Sequence, residues 1–303
     1  MRYGAGLNTS KPIRDVVEEA KKRAADGFSC LSSSHIFGYD AITLLGIVGL
    51  EVPDVELMTA VVPICTRHPI AMAQQVLTVQ AATDGRFSLG IGLSHQVLVE
   101  AVYGLSFDQP LRSMREYLAV LMPLLRGERV AFQGETLRVN AGPLEVKVPA
   151  PQVIVAALGT AMLELAGEVA DGTATWMTGP KTLAEHTVPT IRAAAERAGR
   201  PAPRVVAALP VCVTDDVEAA RRKADEAFAI YGTLPSYRAM LDREGAAGPG
   251  DAAIVGDEDS VRTVLAELDA AGVNDFSAAP IGSREEIQRT VALFRELNAT
   301  TAG

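Results

Sequence analysis

The sequence predicts an α/β fold closed as a (β/α)8 TIM barrel, and three observations carry that prediction. Short β-rich runs alternate with amphipathic helical stretches from one end of the chain to the other, the pattern of parallel strands joined by crossover helices. Two of the runs, residues 153–158 and 205–213, are almost continuously apolar, as strands buried on both faces are. Eight such units fit into 303 residues, and α/β barrels routinely reach about 250 residues or more as one domain. Residues 1–303 are therefore read as a single domain.

The strands are expected at residues 2–7, 28–32, 55–62, 87–92, 153–157, 172–177, 204–213 and 273–280. The first three are followed by helical stretches at 13–26, 40–50 and 70–83, the later ones by 115–125, 161–170, 182–198, 217–230 and 283–298. Asp84-Gly85, Asp171-Gly172, Ala198-Gly199 and Ala271-Gly272 are stop-and-turn signals that feed the next strand. Asp215 and Ser283 are N-cap candidates, and Ser283 with Glu286 makes a capping box. Three stretches exceed a minimal barrel. Residues 128–139 alternate around Gly134 and predict a small β-hairpin insertion. Residues 234–250, rich in glycine, predict an extended insertion of helix and loop after strand seven, and a further helix at 258–271 leads into strand eight.

Composition narrows the function. With 48% hydrophobic and 21% charged residues, the chain lies far from disordered compositions. A net charge of -9 argues against nucleic acid as a partner, because such binders carry a basic patch. Cys30, Cys65 and Cys212 are the only cysteines and form no C-x-x-C pair, which points to neither a disulfide framework nor a zinc site. The first residues hold no apolar stretch of signal-peptide length, and the longest apolar run, 41–50, is too short to span a bilayer. A cytoplasmic protein with no membrane partner is the expectation.

Barrel active sites lie at the C-terminal ends of the strands. This chain places Gly6-Leu7-Asn8 there after strand one, Ser32-Ser33-Ser34-His35 after strand two, and Ala60-Val61-Val62-Pro63 at the end of strand three. Strand four ends in Gly90-Ile91-Gly92-Leu93-Ser94-His95, strand five leads to Leu158-Gly159-Thr160, and strand six reaches Trp176. His35 and His95 thus fall on the catalytic face. Each could merely cap a loop; His35, behind three small hydroxyl residues, is also a candidate catalytic group in an open cleft. His68, before Pro69, reads as a residue orienting a helix entry, and His186 as a surface residue of the sixth helix.

Leu158-Gly159-Thr160 can be read as a phosphate cradle, since glycine admits a ligand close to the backbone and the next helix offers free N–H groups. An ordinary N-cap explains the same residues. Gly90-Ile91-Gly92 lacks the third glycine of a dinucleotide fingerprint. No lysine sits on a predicted strand, no strand gathers metal ligands, and no Gly-x-Ser-x-Gly elbow occurs. A mouth poor in catalytic groups suits a bound cofactor that carries the chemistry itself.

The segments Thr59-Ala60-Val61-Val62-Pro63-Ile64-Cys65-Thr66-Arg67-His68-Pro69, Ala73-Gln74-Gln75, Ala82-Thr83-Asp84-Gly85-Arg86-Phe87-Ser88-Leu89-Gly90-Ile91-Gly92 and Ala161-Met162-Leu163-Glu164-Leu165-Ala166-Gly167-Glu168-Val169-Ala170-Asp171-Gly172 resemble the luciferase-like monooxygenase superfamily. Within it, the chain is similar to the coenzyme F420-dependent oxidoreductases. The resemblance implies an isoalloxazine-like ring at the C-terminal mouth, backed by a non-prolyl cis peptide at Ala60–Val61. It implies a cofactor phosphate at Gly159 and Thr160, next to Ala157 and Leu158, with Gly92, Ser94 and His95 along the cofactor chain. Ser33, Ser34 and Trp176 complete the expected cofactor-binding set. His35 matches a histidine placed beside the ring, although Ser34 stands where relatives carry aspartate. Leu93 stands where FMN-using members present an arginine, which favours the deazaflavin over FMN. Arg67, Arg112 and Lys181 are the cations expected near its acidic tail.

The function implied is hydride transfer between coenzyme F420 and a small-molecule substrate, with His35 moving the accompanying proton. An FMN-dependent monooxygenase and a non-catalytic flavin- or deazaflavin-binding protein are the alternatives. The resemblance also implies a homodimer.

Overall fold

The protein is described over residues 1–301 in a computed structural model. Eight strands form the barrel: β1 (Arg2–Gly6), β2 (Cys30–Ser33), β3 (Glu56–Thr59), β4 (Phe87–Gly92), β5 (Val153–Ala156), β6 (Gly172–Trp176), β7 (Arg204–Val213) and β8 (Asp275–Pro280). Each pairs in parallel with its successor, β8 pairs back onto β1, and the sheet is closed. The predicted barrel is therefore the observed one. The main helices are α1 (Ile13–Ala25), α2 (Ala41–Glu51), α3 (Pro69–Ala82), α4 (Pro110–Leu125), α5 (Thr160–Val169), α6 (Val188–Arg197), α7 (Val217–Thr233), α8 (Pro235–Glu244), α9 (Glu258–Ala271) and α10 (Arg284–Thr301).

Side-chain alternation along the strands separates two cores. The outward residues, such as Leu31, Leu57, Leu89 and Val155, meet the helices in the main apolar core. Inside the barrel, Cys30, Met58, Ile154 and Val206 form a small separate cluster with Ala174. Below that cluster, at the N-terminal ends of the strands, the filling is ionic. Arg204 donates through Nε to Asp275 (2.7 Å) and through its second terminal nitrogen to Glu56 (3.1 Å). Arg2 joins the same two carboxylates at 2.6 and 3.2 Å, and Ser88 donates to Glu56 at 2.7 Å. Burial opposes the charge on Glu56, but the bonds from Arg204 prevail and hold its carboxyl below the usual range.

The helix ends explain their placement. Asp40 caps α2 by accepting from Thr43 N–H at 2.9 Å, and Ser283 and Glu286 form the predicted reciprocal box at 3.2 and 2.6 Å. The cap of α7 is Asp216, accepting from Ala219 N–H at 3.0 Å, rather than Asp215, which instead meets Arg289. Both are aspartates, and the position three residues before a free N–H decides which one caps. His68 does orient a helix entry, its Nδ1 accepting from Ile70 N–H at 3.3 Å.

Both insertions are present. The hairpin pairs Val130–Gln133 with Arg138–Ala141 in antiparallel register. It is clasped to α4 by Glu116, whose carboxylate accepts from the N–H groups of Glu135, Thr136 and Leu137 and from the Thr136 hydroxyl at 2.6–3.0 Å. The Thr136 hydroxyl first, and then those N–H groups, pull the Glu116 carboxyl down to about 2. After β7, α8 and the turn Pro249–Ala252 are followed by a short strand, Ile254–Gly256, that extends the outer end of β7 in parallel; three residues were too few to read from sequence.

Two elements depart from the expected outline. The third strand does not run unbroken to Val62: it stops at Thr59, passes through a cis peptide at Ala60–Val61, and resumes as Val62–Pro63 against the end of β4. The sixth helix begins at Pro180 and contains one π-helical turn, Leu183–Thr187, before α6. His186, expected on the surface, is therefore buried.

Candidate functional site

The upper layer of the barrel interior is built from small residues. Alternation and register bring Gly6, Ser32, Ala60, Gly92, Ala156, Ala208 and Ala279 to the inward side near the C-terminal ends. Ala60, Ala156, Ala174, Ala208, Ser277 and Ala279 keep partial exposure, whereas their outward neighbours Val155, Thr175, Ala207 and Leu209 are buried. Solvent therefore reaches into the barrel from the mouth. Gly90 shows how tightly one wall is made. A Cβ there would lie 1.9 Å from the Thr59 carbonyl oxygen, and Thr59 Oγ1 bridges the Gly90 N–H and C=O at 2.8 Å each. This stitch holds the bulge at Ala60–Val61 against β4.

The expected residues group around this recess with differing roles for side chain and backbone. Ser32 shares the inward parity of Cys30, while Ser33 is buried with its hydroxyl unpartnered. Ala157 lies in the outer core, so only its backbone can serve a ligand. Ser34 is exposed at the rim. Ser94 and Met177, each just beyond a strand end, hold φ of 64° and 54°, a left-handed conformation sparsely populated by residues with a Cβ and concentrated at functional sites.

His35 stands at the rim in a network absent from the sequence reading. Its Nδ1 accepts from Ala41 N–H at 3.3 Å, which leaves the proton of the neutral ring on Nε2. Asp40 lies 3.6 Å from Nδ1 and is itself bonded to Arg67, to Gln75 at 2.9 Å and to Thr43. Burial and then the Arg67 charge lower the His35 pKa, opposed by Asp40, so the ring is neutral near pH 7. Asp40, six residues beyond Ser34, thus brings a carboxylate near His35 although Ser34 itself supplies none.

Across the mouth, aromatic rings from three elements meet. Trp176 on β6 packs edge-on to Phe228 (5.3 Å between centroids) and Tyr231 (6.0 Å), both from α7. Tyr237 of α8 lies 4.8 Å from Tyr231, and His95 lies 5.7 Å from Tyr237. Helix α7 is kinked at Phe228, whose φ of -119° and ψ of 19° leave the helical range, and this turns the last rings toward Trp176. Burial lowers the His95 pKa and raises those of Tyr231 and Tyr237. Trp176 and His95 were expected here; Phe228, Tyr231 and Tyr237 were not. Their recurrence every three or six residues was the available signal.

Gly159 is the N-cap of α5, with no side-chain cap and no acidic residue in the first turn. The helical segment that starts at Pro180 differs: Glu244 of α8 accepts from its Lys181 and Thr182 N–H groups and the Thr182 hydroxyl at 3.2, 2.8 and 2.6 Å. A Cβ at Gly159 would meet nothing within 4 Å, so the approach to that helix end is open. Of the three expected cations, Arg67 pairs with Asp40 and Arg112 with Glu135, which corrects the expectation that both are free for an anion. Lys181 is exposed, and its ammonium has no carboxylate partner among the described residues.

An open depression of about 530 Å³ lies at the opposite end of the barrel, lined by Arg2, Gln152, Arg204 and Asp275 among others. Its charges are the paired ions of the barrel floor, so the chemistry belongs to the mouth.

A fold with this mouth defines the class, and sequence comparison defines the family: residues 1–301 match the luciferase-like monooxygenase family model, and the chain belongs to that family. It is 29% identical over 247 residues to a 5,10-methylenetetrahydromethanopterin reductase of Methanolobus tindarius, covering 81% of this chain and 75% of that protein. The solved structure of the coenzyme F420-dependent tetrahydromethanopterin reductase from Methanopyrus kandleri superposes with a TM-score of 0.83 at 21% identity, covering 97% of each chain. The FMN complex of the oxygenating constituent of 3,6-diketocamphane monooxygenase from Pseudomonas putida superposes at 0.73 with 16% identity, covering 98% of this chain and 96% of that one. At these identities the two structures establish the shared fold. Among the described residues, no helix is long and apolar enough to cross a membrane.

Proposed function

We propose that the protein is a coenzyme F420-dependent oxidoreductase that moves a hydride between the deazaflavin and a small organic substrate. One observation carries the reading: small residues line the inner wall at the mouth, and the strand that carries Ala156 leads directly to an uncapped helix N-terminus at Gly159. Anions bind such helix ends through backbone N–H groups and the helix dipole. The donor set fits a ring with a phosphate-bearing chain. Ala60, Gly92 and Ala156 would flank the ring; Gly159 and Thr160 would hold the phosphate, with Ser94 and His95 along the chain.

The bound deazaflavin supplies hydride chemistry. The protein's part is orientation and proton handling. The Thr59–Gly90 stitch fixes the wall behind the ring. The aromatic group around Trp176 excludes water from the opposite side and presents uncharged faces, which favours an apolar or conjugated substrate. His35 would move the proton that accompanies hydride transfer, releasing it from Nε2 as Nδ1 takes one up from solvent, with the Asp40 carboxylate 3.6 Å from Nδ1 to stabilise the charged ring. Leu93, where FMN-using relatives present arginine, supports the deazaflavin over FMN.

The reading includes a homodimer in a reducing compartment. Ile47 and Leu50, exposed on the outer side of α2, would be covered in the dimer, and all three cysteines are free.

Competitive titration with F420 and FMN tests the cofactor. Tighter binding of F420 is expected, with a dissociation constant that rises more steeply with salt than that of the uncharged ring fragment. Tight FMN binding without F420 binding would overturn the proposal in favour of a flavin monooxygenase.

A further inference from the structure

We infer that His186 is a positioning residue for the cofactor phosphate, acting through the peptide that links Leu158 to Gly159; the inference rests on the phosphate-bearing cofactor proposed above. His186 is buried on the π-turn Leu183–Thr187, and its Nε2 lies 3.0 Å from the Leu158 carbonyl oxygen. A carbonyl oxygen only accepts, so Nε2 carries the proton in this bond.

The consequence follows from peptide geometry. In a trans peptide the C=O and the following N–H point in opposite directions, and Ala60–Val61 is the only cis bond among the described residues. Fixing the Leu158 oxygen on His186 therefore aims the Gly159 N–H away from His186. The Gly159 carbonyl is engaged by the N–H groups of Met162 and Leu163 at 3.1 and 3.0 Å, which sets the next peptide plane as well. The N–H groups of Gly159, Thr160 and Ala161 have no acceptor among the described residues, and Gly159 and Thr160 are exposed. Three donors are thus left outward-facing at one helix end, and one imidazole determines the direction of the first.

His186 is tied to that helix end by rigid packing. Helices α5 and α6 meet backbone to backbone at Gly167, where a Cβ would lie 2.5 Å from the Ile191 carbonyl oxygen. The beginning of the helical segment that carries His186 is pinned by Glu244 through Lys181 and Thr182. Between these two anchors, the π-turn winds five residues where an α-turn takes fewer. Such turns are rare and frequent at functional sites. Here the turn carries His186 where its Nε2 meets the Leu158 carbonyl. Both anchors are indifferent to the ligand, so the arrangement is set before it arrives, and preorganised donors gain affinity by avoiding that ordering cost.

Phosphate and ring therefore respond differently to loss of His186. The protein, His186→Phe and His186→Gln are titrated with F420 and with the deazaflavin ring fragment that lacks the phosphate. Phenylalanine keeps the ring volume without the donor; glutamine keeps a side-chain N–H. His186→Phe should weaken F420 about tenfold to a hundredfold, the loss expected for misaimed bonds to a charged group, while the ring fragment changes by less than about twofold. His186→Gln should recover most of the F420 affinity. Equal weakening of both ligands, or unchanged F420 binding by His186→Phe, would overturn the positioning role. Should His186→Phe not fold, failure of the His186→Gln protein to bind F420 more tightly than the ring fragment would overturn it too. A wild-type protein that binds the ring fragment but gains nothing from the phosphate refutes the phosphate site itself, and one that binds neither F420 nor FMN refutes the functional reading.

Discussion

The two ends of this barrel are filled by opposite means. At the floor, Arg2, Arg204, Glu56, Asp275 and Ser88 pair with one another through short charged bonds. At the mouth, the equivalent inward positions hold alanine, glycine and Ser32, and a helix end keeps its donors free. The floor closes the barrel, while the mouth remains open to complementary chemistry. Stability and activity should therefore separate along the barrel axis.

The sharpest way to break that division is at the floor. Arg204→Ala leaves Glu56 and Asp275 facing each other without their main counter-charge, and removing one partner of a buried network costs about 3–5 kcal/mol. Urea unfolding should show that loss, while turnover per folded molecule stays close to wild type. A drop in turnover without a drop in stability would mean that the floor communicates with the mouth.

Next in size is the complementary change at the mouth. His35→Ala should slow hydride transfer by about a hundredfold or more, the range of a lost proton-transfer group, with cofactor affinity and the unfolding midpoint nearly unchanged. Stopped-flow oxidation of the reduced cofactor measures this, and an unaltered rate would remove His35 from the mechanism.

The smallest effect separates the regions by pH. His35 and His95 have depressed pKa values when folded, so the native state binds fewer protons than the unfolded chain as histidines begin to titrate. Their contribution to stability is present above the ordinary value of about 6.5 and is lost as pH falls below it. Glu116 is depressed to about 2, so the hairpin clasp holds until pH falls below the usual glutamate range and is lost on the way to that value. Hydrogen exchange on mild acidification should quicken in the loops after β2 and β4 before it quickens in the hairpin. The reverse order would contradict this assignment.

Most of the barrel was legible because parallel strands bury both faces and leave continuous apolar runs; β4 and β7 were read at the bounds they adopt. The break after Thr59 was invisible to periodicity, since residues 59–63 remain apolar or small on either side of it, and only the family resemblance located it. Nothing in the sequence marks the π-turn, so His186 was expected on the surface of its helix. The Asp40–Arg67–His35 arrangement joins two loops that are distant in sequence, and no spacing rule connects them. The aromatic group arises because the kink at Phe228 brings rings from α7 and α8 to a tryptophan on β6. The site's floor plan was therefore readable, whereas the contacts between loops required the fold.

The π-turn also bears on how this region could tolerate change in length. It stores one extra residue in a segment whose two ends are fixed by Glu244 and by Gly167. Deleting exposed Ala184 or Glu185 would let ordinary α-winding resume without moving either end or removing a buried side chain. Each residue turns an α-helix by about 100°, so such a deletion would preserve the barrel while swinging His186 off the Leu158 carbonyl. The helix after β6 thus works as a phase setting: a one-residue change in its length, harmless to the fold, would detune the phosphate end of the mouth.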